Sequence, residues 1–120
     1  MTAIFDTNIV IDALNGNSAA QLEYDRYDHV LISRITWIEV LVGAPEDDAL
    51  TRAFLQERFV TAPLDRRVAE IAVELRRNEK AKLPDCIVWA TARANDAVLV
   101  TRNTRDFPRD AEGIRVPYEL

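Results

Sequence analysis

The reading of the fold turns on Ala3-Ile4-Phe5-Asp6-Thr7-Asn8-Ile9-Val10-Ile11-Asp12-Ala13-Leu14. The apolar run at 3–5 predicts a short buried strand that stops at Asp6, and residues 8–14 predict a brief helix halted by Asn15-Gly16-Asn17. The same alternation continues along the chain. A helix is expected over 18–26 and a strand at Val30-Leu31-Ile32, after which Ser33 caps a helix carrying Ile35, Ile38, Val42 and the carboxylate of Glu39. Gly43 and Pro45 end that helix, and a further helix over 46–58 leads into a strand at 59–62. Asp65 caps an amphipathic helix whose Val68, Ile71, Ala72 and Leu75 follow the i, i+3, i+4, i+7 spacing of one buried face. Residues 76–82 read as a charged connector, and Pro84 opens a helix that begins at Asp85 and runs through Ile87, Val88, Trp89 and Ala92. Val98-Leu99-Val100 is a strand, 101–108 a loop with a short turn of helix, and Ile114-Arg115-Val116 the last strand. Short apolar strands separated by helices predict an α/β fold: one three-layer α/β/α domain over residues 1–120, with a central parallel sheet of four to five strands.

A chain of 120 residues, 48% hydrophobic, has the size of one core, so a single site is sought. Met1 leads straight into the first strand without a basic-then-apolar leader, and no apolar run reaches the roughly 20 residues of a membrane span. The single cysteine, Cys86, forms no internal disulfide, which suits a reducing cytoplasm. The formal charge of −5 opposes nucleic-acid binding, which ordinarily requires a basic face. Four site carboxylates holding two divalent cations would change that balance from −5 to about −1. Thirteen of the fifteen basic residues are arginine, a side chain suited to bidentate phosphate contact, although a genome-wide bias toward arginine explains the count equally well.

In open α/β sheets sites form beyond the carboxyl ends of the strands. Asp6 follows the first strand, and Thr101-Arg102-Asn103-Thr104-Arg105-Asp106 follows the fourth. Asp85 stands at a helix start, where the dipole favours a carboxylate, and Glu39 interrupts an otherwise apolar helix. Each acid has a plainer reading: Asp6 and Asp85 as helix-start residues, Glu39 as a solvent-facing position, Asp106 and Asn103 as turn formers. Their conjunction at strand ends and helix starts points to a site that binds a hard cation.

The order and surroundings of these acids resemble the PIN-domain family, and within it the VapC-like toxins of type II toxin–antitoxin pairs. The matching pieces are Phe5-Asp6-Thr7-Asn8-Ile9, Thr36-Trp37-Ile38-Glu39-Val40-Leu41-Val42-Gly43, Leu83-Pro84-Asp85-Cys86-Ile87-Val88-Trp89-Ala90-Thr91-Ala92 and Leu99-Val100-Thr101-Arg102-Asn103-Thr104-Arg105-Asp106-Phe107. The resemblance implies a metal-dependent endoribonuclease in which Asp6, Glu39 and Asp85 hold Mg²⁺ or Mn²⁺, with Asp106 or Asn103 completing the pocket. It further implies a homodimer, a small VapB-like antitoxin whose tail fills the groove, and transfer- or ribosomal-RNA loops as substrate.

One histidine, His29, excludes a two-histidine acid–base ribonuclease, which leaves metal chemistry. Water attack at phosphorus would yield a 5′-phosphate and a 3′-hydroxyl. Thr7, Asn8 and Thr101 are candidates for orienting carboxylates or water, with capping as their alternative role. Arg102 and Arg105 flank the loop acid and either hold substrate phosphates or pair with neighbouring carboxylates. His29 reads as a surface or packing residue, Cys86 as core, and Trp37 and Trp89 as core or dimer-face aromatics. Two rival readings remain: a haloacid-dehalogenase-like phosphatase, which needs an acid where this chain has Asn8, and a non-catalytic PIN-like interaction module.

Overall fold

The computed structural model describes residues 1–120. Five strands, β1 (Thr2–Phe5), β2 (His29–Ser33), β3 (Val60–Ala62), β4 (Val98–Val100) and β5 (Ile114–Arg115), form one sheet in the order β3-β2-β1-β4-β5, with every pairing parallel. Six helices separate them: α1 (Thr7–Leu14), α2 (Ser18–Tyr24), α3 (Arg34–Val42), α4 (Asp48–Arg58), α5 (Arg66–Asn78) and α6 (Leu83–Ala94). None is long and apolar enough to cross a membrane.

Strand side chains alternate between the two faces, and the core divides accordingly. Ala3, Phe5, Val30, Ile32 and Val100 pack with Ile9 and Val10 of α1, Val40 and Leu41 of α3 and Leu55 of α4. Ile4 and Leu99 point the other way, against Val68, Ala72 and Leu75 of α5 and Val88, Trp89 and Ala92 of α6. Burial on both faces explains why the central strands read as nearly continuous apolar runs, Ala3-Ile4-Phe5, Val30-Leu31-Ile32 and Val98-Leu99-Val100.

Local signals start and stop the helices where the sequence places them. Ser33 Oγ accepts from Thr36 N at 3.0 Å and Asp65 Oδ1 from Val68 N at 3.0 Å, so both are N-caps. Gly16, at φ +80°, follows α1 in the left-handed conformation that closes a helix, with Gly16 N donating to Ala13 O and Asn17 N to Asp12 O.

Other boundaries differ from expectation. α5 continues to Asn78 instead of yielding to a charged connector, because Arg76 and Arg77 lie in its last turn, where cations favour the helix dipole. The helix expected from residue 46 is preceded by a 3₁₀ turn, Pro45–Asp47, and begins at Asp48. α6 starts at Leu83, so Pro84 and Asp85 already lie in its first turn. The short helical turn expected in the loop after β4 is present as a single i→i+4 bond, Phe107 N donating to Asn103 O at 3.2 Å, and does not extend into a helix. Its shape comes from Phe107, fully buried edge-on against Trp89 with ring centroids 5.8 Å apart, and from side-chain hydrogen bonds. Of the remaining aromatics, Trp37 is half-buried, with the Arg34 and Arg52 guanidinium carbons 4.9 and 5.1 Å from its ring centroid. His29 is exposed on the first residue of β2, and Cys86 is buried, its thiol 3.4 Å from Ala81 O.

Candidate active site

Strands β1, β2 and β3 run outward in one direction from β1, while β4 and β5 lie on its other side. The strand order therefore reverses between β1 and β4, and the crevice beyond their carboxyl ends is the natural site of this sheet. Asp6 and Thr101 are the residues that emerge there. Thr101 Oγ1 donates to Asp6 Oδ2 at 2.7 Å, and both residues are buried. Asp6 N extends the ladder by donating to Val100 O at 2.9 Å, which sets the direction of the side chain.

Asp6 is the N-cap residue of α1 and more than a cap. Oδ1 accepts from Thr7 N at 2.9 Å, while Oδ2 accepts from Thr101 and, at 3.3 Å, from Asn8 Nδ2. Burial pushes its pKa up, and the hydrogen bonds from Thr101, Thr7 and Asn8 oppose that rise by favouring the carboxylate.

Glu39 reaches the same crevice from α3. Its side chain is exposed, yet Oε1 accepts from Thr7 Oγ1 at 2.7 Å, and its charge contributes to the raised pKa of Asp6. Ser33, Thr36 and Thr7 form a hydroxyl chain behind it, with Thr36 Oγ1 3.2 Å from Ser33 Oγ and 3.1 Å from Thr7 Oγ1. The polar residues of two helices are thus hydrogen-bonded together in front of β1.

Asp85, in the first turn of α6, is raised as well. Burial first, then the charge of Asp6, a hydrogen bond to Asp106 and the charges of Asp106 and Glu39 push it up to about 7. Asp106 moves the opposite way: the Asn103 amide holds it below the ordinary carboxylate range, helped by the hydrogen bond from Asp85 and the charges of Lys82 and Arg105. Asn103 and Asp106 bond reciprocally, Asn103 Nδ2 donating to Asp106 Oδ2 at 3.0 Å and Asp106 N to Asn103 Oδ1 at 3.2 Å.

Asp6, Glu39, Asp85 and Asp106 are therefore gathered at one end of the sheet, with Asp85 feeling the charge of the other three. No three of them converge as the donor set of one ion in this arrangement. The donor chemistry is all oxygen and anionic, which suits Mg²⁺ or Mn²⁺, and an ion that keeps several waters needs only one or two carboxylates. Holding like charges together without a cation is also costly, and after burial the charges of Asp6, Asp106 and Glu39 add to the rise at Asp85.

The remaining candidates separate. Arg105 is exposed beside Asp106. Arg102, for which phosphate and carboxylate partners were equally open, takes the carboxylate: Nε and Nη2 donate to Asp12 Oδ2 and Oδ1 at 2.7 and 3.1 Å. Asp12 escaped the sequence reading, although it is an acid on the apolar helix α1, four residues beyond Asn8. Its local signal is the same as that of Glu39, a lone acid on an apolar helix. Tyr118, whose hydroxyl donates to Asp12 Oδ2 at 2.8 Å, carries no such local signal.

Comparison with known proteins agrees with this architecture. The PIN domain family model matches residues 3–112. A toxin–antitoxin complex from Klebsiella pneumoniae contains a chain 40% identical, with a TM-score of 0.90, over 98% of this chain and 99% of that one. FitAcB from Neisseria gonorrhoeae matches at 22% identity and a TM-score of 0.76 over 100% of both chains, and VapBC2 from Rickettsia felis, bound to a promoter DNA fragment, at 22% and 0.74 over 96% of both. These two support the fold alone. A search of curated proteins gives no match. The parallel five-stranded sheet, the acids at its switch point and a family match over most of the sequence lead to one conclusion: the chain belongs to the PIN-domain family.

Proposed function

We propose that this chain is the toxin of a toxin–antitoxin pair and acts as a divalent-cation-dependent endoribonuclease. The observation that carries the reading is the gathering of Asp6, Glu39, Asp85 and Asp106 in the crevice between β1 and β4, with Asp85 raised to about 7 by burial and by its acidic neighbours. The relative 40% identical to this chain comes from a toxin–antitoxin complex, which supports the biological role.

Asp6, Asp85 and Glu39 are the residues that would hold Mg²⁺ or Mn²⁺. Such an ion supplies charge neutralisation at the phosphoryl group and acidifies water for attack on phosphorus. The chain's own residues supply orientation. Thr101, Asn8 and Thr7 N fix both Asp6 oxygens, Thr7 Oγ1 holds Glu39, and Asn103 holds Asp106. We assign Asp106 as the fourth acid, with Asn103 as its orienting partner, because the charge of Asp106 acts directly on Asp85. Arg105, exposed beside the acids, is positioned to meet an RNA phosphate.

A VapB-like antitoxin and a second copy of this chain are the partners we assign, in the cytoplasm. Ile38 and Val42 of α3 and Leu83 of α6 are exposed apolar residues on neighbouring helices and offer a surface for self-association. Asn8 argues against the phosphatase reading, since it occupies the position where that chemistry needs an acid and its side chain is engaged with Asp6 and Arg102 N.

The test is cleavage of a labelled structured RNA by antitoxin-free protein in Mg²⁺, Mn²⁺ or EDTA, beside Asp6→Ala and Asp85→Ala. Cation-dependent cleavage lost in both variants is expected, with 5′-phosphate and 3′-hydroxyl ends. Folded protein that cleaves no RNA and shows no calorimetric Mn²⁺ binding would favour the non-catalytic module.

A further inference from the structure

Arg102 is held at two points by one face of α1. Its backbone N donates to Asn8 Oδ1 at 3.2 Å, and its guanidinium grips Asp12 through Nε and Nη2 at 2.7 and 3.1 Å. Asn8 and Asp12 are four residues apart, so their side chains lie one above the other on the helix. The Asp12 side chain is only 10% exposed, and its Oδ2 also accepts the Tyr118 hydroxyl. A substrate phosphate would have to displace a buried, bidentate, charge-assisted partner, whereas Arg105 nearby is exposed.

The clamp lies between the two loop contacts that shape the acid site. Thr101, immediately before Arg102, donates to Asp6, and Asn103, immediately after, donates from its backbone N to Thr101 Oγ1 at 3.0 Å and holds Asp106. Rotation of the backbone at Arg102 would disturb both acids together. Tyr118 ties the segment after β5 into the same cluster.

We propose that Arg102 and Asp12 form a positioning couple, completed by Tyr118, that sets the β4 loop against the acids and does not bind substrate. The catalytic consequence rests on the ribonuclease reading, whereas the structural one does not. Arg102→Lys keeps the charge but loses the two-pronged grip. The experiment compares Arg102→Lys, Tyr118→Phe and the charge swap Asp12→Arg with Arg102→Asp. Amide exchange is read by NMR at Asn103, Asp106 and the core residue Leu99, together with kcat and KM on a single-stranded RNA oligonucleotide in Mg²⁺.

In Arg102→Lys, exchange at Asn103 and Asp106 should rise about tenfold or more while Leu99 is unchanged. kcat should fall about a hundredfold with KM nearly constant, the pattern of misplaced catalytic groups. Tyr118→Phe should move both readouts less, in the same direction, and the charge swap should recover part of each. Unchanged exchange at Asn103 and Asp106 in folded Arg102→Lys would overturn the proposal. So would a raised KM with kcat intact, the pattern of a lost phosphate contact. If the unmodified protein cleaves no RNA, the ribonuclease reading fails and exchange alone decides the couple. If the charge swap does not fold, Arg102→Lys decides it.

Discussion

Thr101 shows how much can rest on one hydroxyl. It is fully buried, donates to Asp6 Oδ2 at 2.7 Å, and accepts from Asn103 N at 3.0 Å. Valine has nearly the same shape, so Thr101→Val removes the hydrogen bonds and leaves the packing in place. Loss of a group that orients a metal-binding carboxylate typically costs about 10- to 100-fold in affinity or activity. We expect a loss of that size in Mn²⁺ affinity, measured by calorimetry, and in RNA cleavage. Unaltered Mn²⁺ affinity in a folded variant would mean that Thr101 only closes the loop. The position could be flagged from sequence because it follows an apolar strand. Its partner could not, because Asp6 lies 95 residues away.

The helices were legible where a cap or a periodic face announces them and less so at their ends. Asp65, the apolar spacing of Val68, Ala72 and Leu75, and the cap at Ser33 all act within one or two turns of chain. Asp65→Ala should therefore destabilise by about 1 kcal/mol, the usual worth of such a cap, read as a lower urea midpoint with unchanged slope. A midpoint equal to that of the unmodified protein would assign the start of α5 to packing alone. Reading the charged run after Leu75 as a connector overlooked the stabilisation that Arg76 and Arg77 gain at a helix carboxyl end. The loop after β4 holds the one helical turn expected of it, closed by Phe107 N on Asn103 O. Asn103–Asp106 side-chain bonds and the buried Phe107 secure that turn, and they are contacts that helix periodicity does not announce.

Parallel order places the strand reversal, the buried Asp6 and three further acids at one end of the sheet, and the cost of that concentration of charge should appear in stability. Asp85 has an ordinary pKa of 3.8 and is raised to about 7 in the fold. Between about pH 4 and pH 7 the native protein keeps a proton that the unfolded chain releases, so this group makes stability fall as pH rises through that window. Asp6, also raised, acts in the same direction, whereas Asp106, held low, adds stability that is lost only as pH falls below the ordinary carboxylate range. In EDTA, Tm should decline from pH 5 toward pH 7, and Asp85→Asn should reduce that decline. Mg²⁺ or Mn²⁺ should raise Tm most near neutrality, because a ligand that binds only the folded state stabilises it. A Tm that is flat in EDTA and unmoved by either ion would sink this account of the acids.

The sequence by itself determined the alternation of strand and helix, the caps at Ser33 and Asp65, the stop at Gly16 and the positions of the four acids along the chain. These depend on residues a few positions apart, whose burial and hydrogen bonding follow from backbone period and turn chemistry. Tertiary structure alone decided which side of β1 receives β4, that Thr7 serves Glu39, and that Arg102 grips Asp12 instead of remaining free for phosphate. It also brought Arg115 onto Glu23, a carboxylate 4% exposed that pairs through Nε and Nη2 at 2.7 and 3.0 Å. Such partners lie tens of residues apart, and a charged or hydroxyl side chain has the same local signature whether it ends in solvent, on a phosphate or in a buried pair. Only the folded arrangement, in which burial makes an unpaired polar group costly, selects among those outcomes.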